Sequence, residues 1–430
     1  MLETADFDPM AQTALLVGIE RHGMAEGEAE GLLEELAELV VNLGIRPIER
    51  CVVRLREPHA AFLTGTGKTD ELLAMAKELQ VDCLIFDEAL SPAQQRNWEQ
   101  RAGGKLLVID RQEVILDIFN SRAQTKEARL QVELARLEYE LPRMKRAWSH
   151  LDRQRGGGAV QRDAGESQLE LDQRMIRTRI ARLKRELETV VRQRDVQRRR
   201  RDRIPVPSAA IVGYTNAGKS TLLNRLCATA EVLSADQLFA TLDPTTRRCR
   251  LPSGQLLLLT DTVGFIRRLP HRLVEAFKAT LEEALRADLL IHVIDGSSPD
   301  AVAHAQTTRA VLEELDVNDK PTLTVLNKAD CGLSDPVRVA LANEVKNALP
   351  VSAATGLGLD ELLGQCDSEL LTTARPTELL VPYQRYELVN ALHEAGAVDA
   401  SEARAEGTWL RGFIPPRLKG AVAPFQLNGS

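Results

Sequence analysis

Short apolar runs alternate with amphipathic stretches over the first 110 residues of the chain. The apolar runs cover residues 13–19, 51–55, 83–86 and 106–109, and the stretches with apolar residues at helical spacing cover 29–41, 70–79 and 92–101. Uninterrupted apolar runs are typical of strands buried on both faces, and helices supply the connections that parallel strands require. The pattern predicts a small parallel sheet of βα units within residues 1–121.

A helical pattern occupies residues 122–203. Apolar residues recur there at steps of three and four in two series, Leu130, Leu134, Leu137, Leu141, Met144, Trp148 and Leu151, then Ile176, Ile180, Leu183, Leu187 and Val190. Two such series, separated by a break at residues 156–167, predict a helical hairpin. Pro142 is expected to kink the first helix, because proline lacks the N–H that a helical hydrogen bond needs.

Buried-strand runs return in residues 204–374, at 209–212, 256–259 and 322–326. Beyond Arg375-Pro376, which reads as a linker, residues 375–430 contain a strand at 379–381, a helix at 385–394 and a hairpin around Glu406-Gly407. The predicted fold class is α/β, with a mostly parallel sheet in residues 204–374 and a small α+β domain in residues 375–430. These boundaries divide the chain into four domains.

The most informative motif follows the run 209–212 and precedes a helical stretch. It reads Gly213-Tyr214-Thr215-Asn216-Ala217-Gly218-Lys219-Ser220. Two glycines let backbone N–H groups turn toward a phosphate, Lys219 supplies positive charge for the β- and γ-phosphates, and Ser220 offers a hydroxyl to Mg²⁺. The alternative, a Gly-rich turn with a surface lysine, does not explain the strand-to-helix context. The motif predicts a phosphate-binding loop.

Three later motifs indicate which nucleotide is bound, namely Asp261-Thr262-Val263-Gly264, Asn327-Lys328-Ala329-Asp330 and Ser352-Ala353-Ala354. Asp261 can hold Mg²⁺ through water, and Gly264 can present its N–H to the γ-phosphate. Asp330 can accept the two N–H groups of guanine, a pattern that adenine lacks. The order and spacing of the motifs predict a site for GTP and GDP.

The segment Phe239-Ala240-Thr241-Leu242-Asp243 lies between the first two motifs and is polar enough to be a mobile switch loop. Thr241 is the expected second hydroxyl ligand of Mg²⁺, with Thr245 and Thr246 as competitors. Lys219, Thr241 and Gly264 are the expected catalytic groups. The position just after the Asp-x-x-Gly motif, where many small GTPases carry a water-orienting glutamine, is Phe265, which cannot do that work.

Slow hydrolysis until a partner completes the site is one interpretation of Phe265, and substitution by another group is the other. The carbonyl of Asn216 could ligate K⁺ beside the phosphates. Alternatively, Asn216 could hold the loop through a local hydrogen bond, as asparagine often does.

Composition modifies this picture in one respect. The 430 residues have a net charge of −7, which by itself argues against nucleic acid. Yet residues 122–203 hold 23 Lys and Arg against 13 Asp and Glu, a net of +10 that leaves −17 for the rest. No signal peptide, no span of about 20 apolar residues and no paired cysteine motif is visible, so a cytoplasmic protein with reduced thiols is expected.

The break in the hairpin has the composition of an RNA-contacting tip. Arg153, Arg155 and Arg162 could contact phosphates, while Gly156, Gly157 and Gly158 allow close approach of another backbone. A solvated connector is the alternative. A further Gly-rich segment, residues 64–69, has Phe62 where a second phosphate loop needs glycine, so it is expected to be a turn that opens a helix.

The whole arrangement resembles the HflX GTPases over nearly the full chain. The likeness is carried by the Phe239–Asp243 and Asp261–Phe265 boxes and by the stretches Val108–Arg111, Ile115–Phe119, Leu130–Ala135 and Gln168–Asp172. It implies a monomer, with peripheral membrane association left open, that binds the large ribosomal subunit, splits stalled ribosomes in the GTP state and is released after subunit-stimulated hydrolysis. The tip, Arg162-Asp-Ala-Gly-Glu-Ser-Gln168, departs from the usual Arg-Gly-Pro-Gly-Glu-Thr-Gln. A GTP-regulated switch for another RNA or protein remains the second class.

Overall fold

The structure is a computed structural model. It describes residues 12–104, 106–144, 162–201, 206–227, 244–268, 284–315, 317, 320–332, 347–372, 376–394, 397–414 and 418–427. These residues form two compact units that divide between Thr189 and Val190.

A four-stranded parallel sheet organises the N-terminal part of the first unit, as the alternating pattern predicts. Its strands are β1 (Thr13–Arg21), β2 (Arg46–Leu55), β3 (Cys83–Phe86) and β4 (Leu107–Asp110), in the order β2-β1-β3-β4. The connecting helices are α1 (Glu28–Asn42), α2 (Thr66–Glu78) and α3 (Pro92–Arg101). Phe86 and Trp98 are completely buried in its core. The sheet and its helices therefore share a buried core.

The segment 64–69 is a turn that opens a helix, in agreement with the sequence. Helix α2 begins at Thr66, directly after Gly65. Lys68 pairs with Glu71 one turn later, at 2.7 Å. The charge of Lys68 is thus paired with a carboxylate of the same helix.

Three further helices follow the sheet, and only the last extends past Thr189. They are α4 (Arg111–Arg122), α5 (Lys126–Glu140) and α6 (Arg162–Arg201). Arg111, at the start of α4, is buried between Glu35 at 2.8 Å and Asp87 at 2.6 Å. This ion-paired arginine fastens α4 to α1 and to the end of β3.

One of two expectations about the hairpin is wrong. Helix α5 ends at Glu140, and a 3-10 turn, Leu141–Arg143, follows and leads back into helical backbone at Met144, so Pro142 interrupts the helix as expected. Helix α6 begins at Arg162, inside the expected break. The acidic residues Asp163 and Glu166 suit the first turns of a helix, because they oppose its dipole.

A six-stranded sheet forms the core of the second unit. Its strands are β5 (Ser208–Gly213), β6 (Thr245–Arg250), β7 (Leu256–Asp261), β8 (Leu289–Asp295), β9 (Thr322–Asn327) and β10 (Leu349–Pro350), in the order β10-β9-β8-β5-β7-β6. Only β6 is antiparallel to its neighbour. The described helices around it include α7 (Lys219–Leu226), α8 (Ala301–Glu314) and α9 (Leu359–Thr372). The mostly parallel sheet matches the predicted fold class.

The last described elements form a small antiparallel sheet with helices. They are β11 (Pro376–Val381), α10 (Tyr386–Glu394), β12 (Val398–Arg404), β13 (Gly407–Phe413) and α11 (Lys419–Val422). The order is β11-β13-β12, and the hairpin turns at Glu406-Gly407 as predicted. All six cysteine thiols are free. Within the described part of the chain, no helix is both long enough and apolar enough to cross a membrane.

Candidate functional site

The phosphate-loop motif connects β5 to α7 at the carboxyl edge of the six-stranded sheet. Gly218 immediately precedes α7 and has φ +89°, a conformation that glycine adopts without steric cost. A β-carbon on Gly218 would also lie 2.2 Å from Nδ2 of Asn327. Both the dihedral angle and the close neighbour require glycine here.

Lys219 is folded back onto the loop. Its ammonium donates to the carbonyl oxygens of Gly213 at 3.1 Å and Tyr214 at 2.7 Å. Burial lowers the pKa of Lys219 to about 8, against the opposing effect of the Asp261 carboxylate. The loop thus holds a buried cation whose charged form would be favoured by a bound phosphate.

Ser220 and Asp261 come together although they lie on different elements. The Ser220 hydroxyl, in the first turn of α7, donates to the carboxylate of Asp261 at the end of β7, over 2.6 Å. A hydroxyl beside a carboxylate is an oxygen donor set of the kind that Mg²⁺ prefers, so these residues fit that ion. Thr262 turns away, because its hydroxyl donates to the carbonyl of Ile211 at 2.7 Å.

The Asp-x-x-Gly motif lies directly against the phosphate loop. A β-carbon at Gly264 would lie 2.7 Å from Cγ2 of Thr215 and 2.9 Å from Nζ of Lys219. Thr215 is buried, and its hydroxyl has no hydrogen-bond partner among the described residues. Phe265 is 1% exposed, so its side chain is buried.

Asn327 joins three of the predicted motifs. Its amide nitrogen donates to the carbonyl of Ala217 at 2.8 Å, and its amide oxygen accepts from the N–H of Ala353 at 3.0 Å. Ala329 also donates its N–H to Val351, at 3.0 Å. The phosphate loop and the two motifs expected to bind the base are therefore linked into one structure.

Asp330, the residue expected to recognise guanine, has an exposed carboxylate. A hydrogen bond from Ser352 lowers the pKa of Asp330. Lys328 has φ +61° and pairs with Asp295 at the end of β8, at 2.8 Å. Ala354 is exposed, whereas the N–H of Ala353 is taken up by Asn327. An ionised acceptor is thus presented at the surface, where a base could reach it.

Asn216 is exposed and has φ +60°, which asparagine tolerates better than most residues. The structure gives its side chain no hydrogen bond within the described residues, so the local hydrogen bond considered from the sequence is not found there. Among the competitors for the Mg²⁺ hydroxyl, Thr246 lies 2.9 Å from the Thr260 hydroxyl, and Thr245 lies opposite Asp261 in the ladder.

Several predicted residues lie outside the described residues. They are the switch segment Phe239, Ala240, Thr241, Leu242 and Asp243, and the tip residues Arg153, Arg155, Gly156, Gly157 and Gly158. The backbone of Arg162 starts α6, but its side chain is not described.

The sequence did not reveal the environment of Tyr214. Its ring stacks on His304 of α8 with centroids 3.8 Å apart and an interplanar angle of 11°. Its hydroxyl accepts a hydrogen bond from the N–H of Arg267, at 2.8 Å, and Arg267 pairs with Asp300 at 3.1 Å. An isolated histidine in an amphipathic helix carries no pattern that could have predicted this contact.

These features define the class of protein. A parallel sheet with a phosphate loop after one strand, an Asp-x-x-Gly motif after its neighbour and an Asn-Lys-x-Asp motif beyond is the arrangement of a P-loop GTPase. Three family models match the chain: GTP-binding GTPase N-terminal over residues 30–120, GTP-binding GTPase Middle Region over 122–201, and 50S ribosome-binding GTPase over 208–328.

Similar proteins identify the family. GTPase HflX of Akkermansia muciniphila is 49% identical over 427 residues, covering 96% of this chain and 97% of the relative. GTPase HflX of Escherichia coli K12 is 41% identical, covering 87% and 88%. The chain belongs to the HflX family and is a GTPase that converts GTP to GDP and phosphate. A crystal structure of a GTP-binding protein from Sulfolobus solfataricus in complex with GDP is 28% identical, covers 83% of this chain and 98% of that one, and has a TM-score of 0.43.

Proposed function

We propose that this GTPase binds the large ribosomal subunit and uses GTP binding to split or rescue stalled ribosomes, with hydrolysis permitting release. Membership of the HflX family supports this, as does the match of residues 208–328 to a family described as a 50S ribosome-binding GTPase. We assign four domains, 1–121, 122–203, 204–374 and 375–430, and a cytoplasmic location. Hydrolysis is slow without the subunit, since the apolar side chain of Phe265 cannot orient the attacking water.

The observation that carries the proposal is the division of basic residues along α6. Arg179 and Lys184 each form a 2.7 Å ion pair with a glutamate of α5, so they hold the hairpin together. Arg174, Arg177 and Arg185 are exposed and make no ion pair with any described residue. Exposed arginines without an ion pair to a described residue provide charge for the phosphates of RNA.

The nucleotide is held by the loop Gly213–Ser220, with Lys219 on the β- and γ-phosphates and Gly264 donating to the γ-phosphate. Ser220 and Thr241 would hold Mg²⁺ directly and Asp261 would hold it through water, and the ion would neutralise charge on the phosphates. Asp330 recognises guanine, with Ser352, Ala353 and Ala354 forming the wall beside it. Asn216 is the ligand for K⁺. The 2.6 Å hydrogen bond of Ser220 to Asp261 supports the magnesium assignment, and the close approach of Gly264 to Lys219 supports the phosphate assignment.

The decisive experiment is cosedimentation of the full chain with purified large subunits. We expect binding with a non-hydrolysable GTP analogue, little binding with GDP, and faster GTP hydrolysis when subunits are added. Binding should weaken as salt rises, because each phosphate contact releases counterions. Failure to cosediment at low salt would favour the second class, a GTP-regulated switch for another RNA or protein.

A charge-reversal variant tests the hairpin surface. The triple variant R174E/R177E/R185E should lose subunit binding and the stimulation of hydrolysis while keeping its affinity for GDP. The charge swap R182E/E186R is the matched control, since it keeps the net charge and the i, i+4 pair that these two residues form at 2.6 Å. Equal loss of binding in both variants would point to a damaged helix and would remove the argument from exposed charge.

A further inference from the structure

We propose that Tyr214 and His304 are positioning residues of the GTPase reaction, which together hold the backbone after Gly264 in place against the phosphate loop. The proposal rests on the assignment of Gly264 as donor to the γ-phosphate. This role requires no contact between either side chain and the nucleotide. They act through the chain segment that carries the donor.

Three hydrogen bonds join residues 213–215 to residues 265–267. The N–H of Phe265 donates to the carbonyl of Gly213 at 3.1 Å, and the N–H of Thr215 donates to the carbonyl of Phe265 at 2.8 Å. The third runs from the N–H of Arg267 to the hydroxyl of Tyr214, at 2.8 Å. The first two are backbone bonds open to almost any sequence, but the third depends on a phenol at position 214.

His304 holds the tyrosine ring. The two rings are nearly parallel, 3.8 Å apart between centroids, and Tyr214 is 5% exposed. The same end of α8 also holds Arg267, because Asp300, the residue before α8, pairs with its guanidinium. Helix α8 therefore fixes both partners of the third hydrogen bond.

This arrangement matters because Gly264 has almost no free space around it. A β-carbon there would already contact Thr215 and Lys219 at less than 3 Å. A donor to the γ-phosphate must be placed to a fraction of an ångström, since small displacements of reacting groups cost large factors in rate. GDP has no γ-phosphate. Loosening this segment should therefore weaken GTP binding and slow GTP hydrolysis, and it should leave GDP affinity unchanged.

The test uses Tyr214→Phe in the full chain, which keeps the ring and its stack and removes the acceptor for Arg267. We expect basal kcat for GTP hydrolysis and the preference for GTP over GDP each to fall about fivefold, the value of one hydrogen bond, with GDP affinity unchanged. His304→Ala should lower kcat and the preference for GTP more strongly, again with GDP affinity unchanged. His304→Phe should restore both values because a ring again stacks on Tyr214. Unchanged kcat and preference in Tyr214→Phe, or equal losses for GDP and GTP, would overturn the proposal.

Gly264→Pro, which removes the backbone N–H at this position, separates this proposal from the assignment beneath it. If that variant keeps its preference for GTP and its hydrolysis, Gly264 is not the donor and the assigned site is wrong. If Gly264→Pro loses both with GDP affinity retained, while Tyr214→Phe and His304→Ala keep them, the site stands and only the positioning role fails. Thermal unfolding of each variant shows that a loss of rate does not come from a loss of fold.

Discussion

The amide of Asn327 donates a hydrogen bond of 2.8 Å to the carbonyl of Ala217, 110 positions earlier in the chain. Its amide oxygen accepts from Ala353 on a third segment. A residue of the motif expected to bind the base is thus also a structural support of the phosphate loop. The two halves of the nucleotide site should therefore fail together when this side chain is removed.

Asn327→Ala should weaken GTP and GDP alike, by about tenfold to a hundredfold, because two hydrogen bonds of about 1 kcal/mol each are lost and buried partners are left unpaired. Titration of a fluorescent guanine nucleotide measures both affinities.

The matched control is Asp330→Asn, at a position on the surface. It should leave stability unchanged, weaken GTP by about a hundredfold and improve binding of xanthosine nucleotides, whose carbonyl accepts where guanine donates. Retained guanine preference in Asp330→Asn would contradict the assignment.

Nucleotide affinity should depend on pH through Lys219. Burial lowers the pKa of Lys219 to about 8, and bound phosphates favour its charged form. Below pH 8 the lysine is already charged, whereas above it binding must take up a proton, so affinity falls by up to about tenfold per pH unit. The stability of the folded chain without nucleotide depends on pH in the opposite direction from nucleotide affinity. Between about pH 8 and the ordinary value of 10.5, the unfolded chain holds the extra proton, so stability without nucleotide rises with pH.

Calorimetry of GDP binding at about pH 7 and about pH 9, in buffers of different ionisation enthalpy, measures this uptake. We expect a proton to be taken up at the higher pH and none at the lower. Lys219→Met, studied at the concentration that its weaker binding needs, controls for titration of guanine itself. Equal uptake in the variant would assign the proton to another group.

Introducing a glutamine at position 265 should not accelerate hydrolysis. Phe265 is 1% exposed, so Phe265→Gln would place an amide in the core and cost about 3 kcal/mol of stability. Phe265→Leu, which remains apolar, should cost about 1 kcal/mol. Urea unfolding gives the stabilities and phosphate release gives the rates. A faster rate in Phe265→Gln would show that this position can reach the attacking water after all.

Basal hydrolysis should be faster in K⁺ than in Na⁺ at equal ionic strength, by about tenfold, if Asn216 ligates the cation, because a fixed positive charge beside the phosphates stabilises the transition state. Asn216→Gly is the informative variant. Glycine accepts the φ of +60° found at this position, so it removes the amide without opposing the loop conformation. The difference between the two salts should disappear in that variant. Equal rates in K⁺ and Na⁺ for the unaltered chain would remove the cation from the mechanism.

The sequence predicted the sheets more reliably than the ends of the helices. Apolar runs such as Cys83–Phe86 coincide with strands, because a strand buried on both faces has to be apolar throughout. The start of α6 at Arg162 was missed, since the glycines before it obscure the boundary. Helix ends depend on a few capping and packing contacts, and such contacts leave a weak trace in residue order.

What the sequence alone determined is local: the turn at Gly218, the order of the nucleotide motifs, and the absence of a polar side chain at position 265. Only the tertiary structure decided that Asn327 supports Ala217 and that His304 stacks on Tyr214. Glycine and apolar residues act on their immediate neighbours, so their effect can be read along the chain. Which distant side chains meet depends on the strand order β10-β9-β8-β5-β7-β6, which is set by the packing of the whole domain.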